Sequence, residues 1–105
     1  MTIRFCFQNI NKADKEKLEK YFYDKKLGRL EKLLQHGNFE LAKFVLNAKY
    51  HIHRKIFSVR LGLKVAKKDF TSEEKAYYNL TEAFDLAFDD LIIQLRKLES
   101  KIHNT

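Results

Sequence analysis

Phe57-Ser58-Val59-Arg60-Leu61-Gly62-Leu63-Lys64-Val65 places an apolar residue at every second position, with small or charged residues between. A period of two held this long is a strand with one buried face, and the rest of the chain must supply the cover for that face. Upstream, Phe44, Leu46, Ala48, Tyr50 and Ile52 alternate in the same way and predict a second strand. Further upstream, Ile3, Phe5 and Phe7 alternate with Arg4, Cys6 and Gln8 and predict another. Downstream, Lys67-Lys68-Asp69 reads as a hairpin turn leading into a polar strand over residues 70–77. Its register stays open, because neither parity of that stretch is apolar throughout.

Two segments change to the helical period. Asn11 and Asp14 are both candidate N-caps for a long helix expected to end at His36-Gly37, where glycine supplies the C-cap. Its apolar stripe changes phase: Leu18, Tyr21 and Phe22 share one face, and Leu27, Leu30 and Leu34 another. A kink or one-residue bulge near Asp24 and Gly28 would turn both halves to the core. The second helix starts at Asn79 with Glu82 three residues on, a capping-box pattern. Leu80, Phe84, Ala87, Phe88, Leu91, Leu95, Leu98 and Ile102 form its stripe. Leu86 and Ile93 fall on the opposite side and are expected at the surface. The order is β-α-β-β-β-α. The economical packing is an α+β domain, with a four-stranded sheet carrying both helices on one face. The other face is left to solvent or to a partner.

With 105 residues, one core and one domain over 1–105 are expected. Cys6 is the single cysteine, so neither an internal disulfide nor a cysteine zinc site can form. The N-terminus lacks the apolar stretch of a signal peptide, and no run reaches the roughly 20 apolar residues of a membrane span. The expectation is a cytoplasmic protein that does not enter a membrane. The net charge of +7 is unevenly spread. Residues 41–68 hold Lys43, Lys49, Arg54, Lys55, Arg60, Lys64, Lys67 and Lys68 and no carboxylate, while residues 69–105 carry twice as many acids as bases. A segment of that kind attracts phosphates and releases their counterions on binding, which points to a polyanion partner.

Catalysis finds little support. Cys6 has no evident helix N-terminus or positioned histidine to activate it, and reads as a half-buried hydrophobe. His51 and His53 project to one side of a strand end, which is half a metal site without a clear third ligand. Asp85, Asp89 and Asp90 lie on the polar side of a helix start, where acids compensate the dipole. Three glycines form no phosphate loop. Tyr77 and Tyr78 could stack on bases, though their position at the junction of sheet and helix favours a structural role. No cofactor and no small-molecule substrate are expected, and the chain reads as a non-enzyme.

The order of elements and several short stretches resemble the ribosome hibernation-promoting factor family, also called ribosome-associated inhibitor or sigma-54 modulation proteins. The stretches are Asn79-Leu80-Thr81-Glu82-Ala83-Phe84-Asp85-Leu86-Ala87-Phe88-Asp89-Asp90-Leu91, Gln94-Leu95-Arg96-Lys97-Leu98-Glu99-Ser100-Lys101 and Lys26-Leu27-Gly28-Arg29-Leu30-Glu31-Lys32. The resemblance implies a double-stranded-RNA-binding-domain-like fold. It also implies a bacterial stress and stationary-phase role, that of a factor binding the small ribosomal subunit and its rRNA at the mRNA–tRNA decoding channel. Such a factor blocks initiation and protects idle ribosomes. Long members add a C-terminal dimerisation domain; this chain resembles the short form, expected to be monomeric when free. The family's basic contacts carry over to Lys26, Arg29, Lys97 and Lys101. Ile93, Glu99 and Asp90 stand where members often carry a base. On the first helix Lys25, Arg29 and Lys32 lie opposite its leucines, and Arg96 lies beside Lys97. With Lys64, Lys67 and Lys68 near the strand-three turn, these form the expected primary RNA surface. Lys43, Lys49, Arg54, Lys55 and Arg60 form a secondary one. The alternative is an RNA-binding or protein-interaction domain of this fold that does not inhibit translation.

Overall fold

The alternation over residues 57–65 sets the sheet. The computed structural model describes residues 1–34, 38–65 and 68–103, with residues 38 and 98–103 described for their backbone alone. β3 (Ile56–Val65) is the central strand. It pairs antiparallel with β2 (Lys43–His51), from Lys43 opposite Lys64 to His51 opposite Ile56. β2 pairs parallel with β1 (Thr2–Gln8), Thr2 beside Lys43 and Gln8 beside Lys49. Parallel neighbours need a crossover. Here it consists of α1 (Lys12–Tyr21), a π turn (Phe22–Lys26), α2 (Leu27–Leu33) and the short α3 (Asn38–Leu41). α4 (Leu80–His103) follows the last strand. Phe44, Leu46 and Ala48 of β2 and Val59, Leu61, Leu63 and Val65 of β3 are buried in one core with Phe22, Leu30, Phe84, Phe88 and Leu91 of the helices. Lys43, Asn47, Arg60 and Lys64, on the other parity, are exposed. The expected α+β arrangement, with both helical layers on one face, is what forms.

The π turn answers the phase change in the first helix. The amide of Leu27 donates to the carbonyl of Phe22, five residues back. One extra residue is taken up in that turn, so Leu18 and Phe22 before it and Leu30 and Leu34 after it all reach the core. Phe22 is at the centre, stacked on Phe44 at 4.8 Å and edge-on to Phe84 at 6.2 Å. Of the two candidate caps Asn11 is used: its side-chain oxygen accepts from the Asp14 amide at 2.7 Å. The helix stops earlier than expected, because Leu34 turns out of it at φ −102, ψ 63. His36 and Gly37 lie outside the described residues. The short α3 was not anticipated.

The fourth strand needs a second correction. Instead of one strand over 70–77 there are two, β4 (Lys68–Thr71) and β5 (Lys75–Tyr77), both pairing with β3. Thr71 opposes Gly62, but Lys75 opposes Val59, so three residues face two across the gap. This is a β-bulge. Buried Ser72 anchors it, donating its amide to the Leu61 carbonyl and accepting the Leu61 amide on Oγ, both at 2.9 Å. A one-residue slip exchanges the two faces, which is why no single parity could be read. The turn also shifts. Val65 already pairs with Lys68, so Lys68 and Asp69 belong to β4, and Lys67 falls outside the described residues. In α4 the cap is as expected: Asn79 Oδ1 accepts from the amides of Thr81 at 2.8 Å and Glu82 at 3.2 Å.

Candidate nucleic-acid interface

The strand register builds the first surface. Across the open face run the rows Thr2–Lys43–Lys64–Asp69, Arg4–Val45–Gly62–Thr71, Cys6–Asn47–Arg60 and Gln8–Lys49–Ser58. Lys43 and Lys64 stand directly opposite each other, a like-charge pair that costs a sheet stability. The ion pairs of the described residues, Lys12–Glu16, Lys26–Asp85 and Lys75–Glu73, include none of Arg4, Lys43, Lys49, Arg60 or Lys64. Arg4, remote in sequence from the acid-free segment, joins it through the parallel pairing of β1. The fold also returns two acids to this face, Asp69 beside Lys64 and Glu74 from the bulge. Between the rows lies a groove of about 540 Å³ whose lining includes Gln8, Asn47, Lys49, Ser58 and Arg60. Gln8, Asn47 and Ser58 carry no charge signal in the sequence; Asn47 shares the parity of Lys49 on β2 and Ser58 that of Arg60 on β3, whereas Gln8 joins them only through the pairing of β1 with β2.

At one end of this face is the turn that joins β2 to β3. Lys55 takes the left-handed region at φ 55, and its amide donates to the His51 carbonyl at 2.7 Å. Arg54 and Lys55 are exposed there, as is His53. His51 pairs through Nε2 with Ser58 Oγ at 2.9 Å. No cluster of three potential metal ligands occurs among the described residues, and none of the described helices is long and apolar enough to cross a membrane.

The second surface lies on the helices. Lys25, Lys32, Arg96 and Lys97 are exposed and Arg29 is half-buried; the side chain of Lys101 is outside the described set. Lys26 differs from its neighbours. Its ammonium is 3.4 Å from Asp85, lies over the rings of Tyr21 (5.5 Å) and Phe88 (5.4 Å), and its side chain is only 17% exposed. It ties the π turn to α4, and its ammonium is already paired within the chain. Tyr21 completes the knot, donating its hydroxyl to Asp85 at 2.8 Å. Burial, then the hydrogen bond and charge of Asp85, push the Tyr21 hydroxyl above its ordinary pKa, with Lys26 pulling the other way. Asp90 is also engaged, accepting the Glu73 amide of the bulge at 2.9 Å. Leu86 and Ile93 are exposed on α4, as expected, and Tyr77 and Tyr78 are exposed at its start.

The sequence profile of the family described as sigma 54 modulation protein / S30EA ribosomal protein matches residues 7–103. The chain belongs to this family. Membership makes it a ribosome-associated factor. Solved structures share the fold. The N-terminal domain of Protein Y from Thermus thermophilus superposes with a TM-score of 0.69 at 19% identity, covering 93% of this chain and 99% of that one. A ribosomal subunit interface protein from Coxiella burnetii gives 0.67 at 17% identity, covering 95% and 99%. No curated protein matches by direct sequence comparison. Asp90 has a local role here: a lysine ammonium at that position could not accept the Glu73 amide of the bulge.

Proposed function

We propose that this protein is a ribosome hibernation factor that binds rRNA of the small subunit at the mRNA–tRNA decoding channel and inhibits translation while bound. The observation that carries the reading is the family match over residues 7–103. The charge distribution supports it. One cationic surface is formed by Lys25, Arg29, Lys32, Arg96 and Lys97 on the helices. The other is formed by Arg4, Lys43, Lys49, Arg60 and Lys64 on the sheet, with Arg54, Lys55 and Lys68 at its ends. A domain lodged between RNA segments meets phosphates on more than one side, so both surfaces are used; Lys26 is left out. The ribosomal subunit interface description of the Coxiella burnetii protein fits the same role.

Sedimentation tests it. The protein should travel with small subunits or whole ribosomes at low salt and be stripped as salt rises, because each neutralised phosphate steepens the salt dependence. Protein remaining at the top of the gradient at low salt overturns the reading. Cell-free translation tests the second half: inhibition is expected at near-stoichiometric protein. Binding without inhibition would leave an RNA-binding domain of this fold with no hibernation role.

A further inference from the structure

We infer that the groove on the open sheet face is a site for one nucleoside phosphate unit, held by its anionic end and recognised at the other by hydrogen bonds. The inference rests on the RNA-binding reading and specifies what this part of the surface takes.

The groove is made by two neighbouring rows of the sheet, Cys6–Asn47–Arg60 and Gln8–Lys49–Ser58. Cys6 and Ser58 are short and Ser58 is almost fully covered, so the longer side chains on either side leave a depression. Glu74, delivered by the bulge, adds an acid to its lining. The volume of about 540 Å³ lies within the roughly 300–1,000 Å³ usual for small-molecule sites.

Lys49 and Arg60 call for an anion, and the guanidinium offers phosphate a forked pair of donors. A bare anion does not explain the rest. Glu74 repels it, and the amides of Gln8 and Asn47 both donate and accept. A ligand that satisfies the whole lining is negative at one end and carries donors and acceptors at the other. A phosphate joined to a ribose and a base edge has that form. Recognition is by the edge rather than by stacking. Phe7 does line the groove, but its parity turns the ring to the helices, where it lies under Lys15 of α1 at 5.9 Å. This separates the site from sheet surfaces that hold RNA on exposed aromatic rings.

The free nucleotide and the nucleotide within an RNA chain share this chemistry, and the experiment separates them. The intact 15N-labelled protein is titrated with adenosine monophosphate, uridine monophosphate, a short single-stranded oligoribonucleotide and inorganic phosphate. Cys6 is the chain's one cysteine and lines the groove, so its alkylation rate is a second readout. Nucleotides are expected to shift the side-chain amide signals of Asn47 and Gln8 and to slow Cys6 alkylation. Arg60→Ala and Lys49→Ala should each weaken binding about tenfold, the scale of one charge-assisted hydrogen bond. Glu74→Ala should weaken nucleotide binding and strengthen phosphate binding. Tighter binding of the oligoribonucleotide than of either mononucleotide identifies RNA as the source; equal affinity identifies the free nucleotide. The inference is overturned if inorganic phosphate reproduces the nucleotide's shifts and protection, or if no nucleotide perturbs the groove. Ribosome sedimentation of the same preparation keeps the two readings apart. A protein that sediments with ribosomes but leaves the groove unperturbed sinks only this inference, and the converse sinks only the ribosomal one.

Discussion

Two side chains show how a residue's neighbours decide its role. Ser72 is a small polar residue in a polar stretch, yet it is buried and its Oγ accepts the Leu61 amide. Ser72→Ala leaves that amide without a partner, and the expected cost is about 1–3 kcal/mol, read as a lower urea midpoint. Ser72→Thr keeps the hydroxyl and should recover part of the loss. Lys26 sits in a basic run, Lys25-Lys26, where the two ammonium groups have opposite fates. Lys25 is in solvent, while Lys26 spans Asp85, Tyr21 and Phe88. Lys26→Ala should lower stability by about 1 kcal/mol, through poorer packing and removal of the cation–ring attraction, and leave ribosome binding nearly unchanged. Lys25→Ala should do the reverse. If Lys26→Ala binds ribosomes poorly at full stability, its assignment to holding the fold rather than the ribosome is wrong.

At the level of elements, the π turn is the most informative. An ordinary helix that gains or loses a residue rotates everything beyond it by about 100°. Here the insertion is already absorbed between Phe22 and Leu27. Deleting exposed Asp24 would restore a plain α-helix with Leu18, Phe22, Leu27, Leu30 and Leu34 still on one stripe. We expect that deletion to fold cooperatively, within about 1 kcal/mol of the parent, since only a poorer helical turn is removed. Inserting an alanine after Asp24 has no such outlet. It carries Leu30 and Leu34 off the core and should cost at least about 3 kcal/mol, roughly the burial of two leucines. Thermal melts of the two variants check this; equal damage from both would show that the turn has a role of its own.

For the molecule as a whole, the decisive property is charge on two sides of one body. Lys25/Arg29/Lys32/Lys97→Ala removes the helical surface, and Lys43/Lys49/Arg60/Lys64→Ala removes the sheet surface. These side chains are exposed or half-buried, so circular dichroism should stay native. The sheet variant relieves the like-charge pair Lys43–Lys64 but also loses the opposite-charge neighbours Lys64 and Asp69, so its stability is expected to stay close to that of the parent. Each variant should bind ribosomes at least about tenfold more weakly at low salt. Its salt dependence should flatten, the log–log slope falling by about 0.7–0.9 for each phosphate that is no longer neutralised. A variant that binds and responds to salt like the parent would show that its surface faces away from the RNA.

Periodicity alone determined most of the elements and the face that each one buries. The parity of residues 44–50 and 57–65 defined the buried face of β2 and β3, although the alternation does not carry on to Ile52, which is exposed in the turn after His51; the broken stripe of the first helix implied its bulge. The Asn79 cap and the stripe from Leu80 to Leu95 defined α4, because each is a local pattern that the backbone repeat converts directly into a face. The acid-free stretch raised the expectation of a polyanion partner in the same local way, since charge needs no neighbours to be counted. Tertiary structure decided what depends on two distant segments meeting. The slip in the fourth strand is visible only against β3. Arg4 and Gln8 become surface neighbours of the basic strands only because β1 lies parallel to β2. Lys26 is paired and largely covered only because α4 brings Asp85 and Phe88 against the π turn. A sequence records which side of its own element a residue occupies, and the packing of one element on another determines what that side meets.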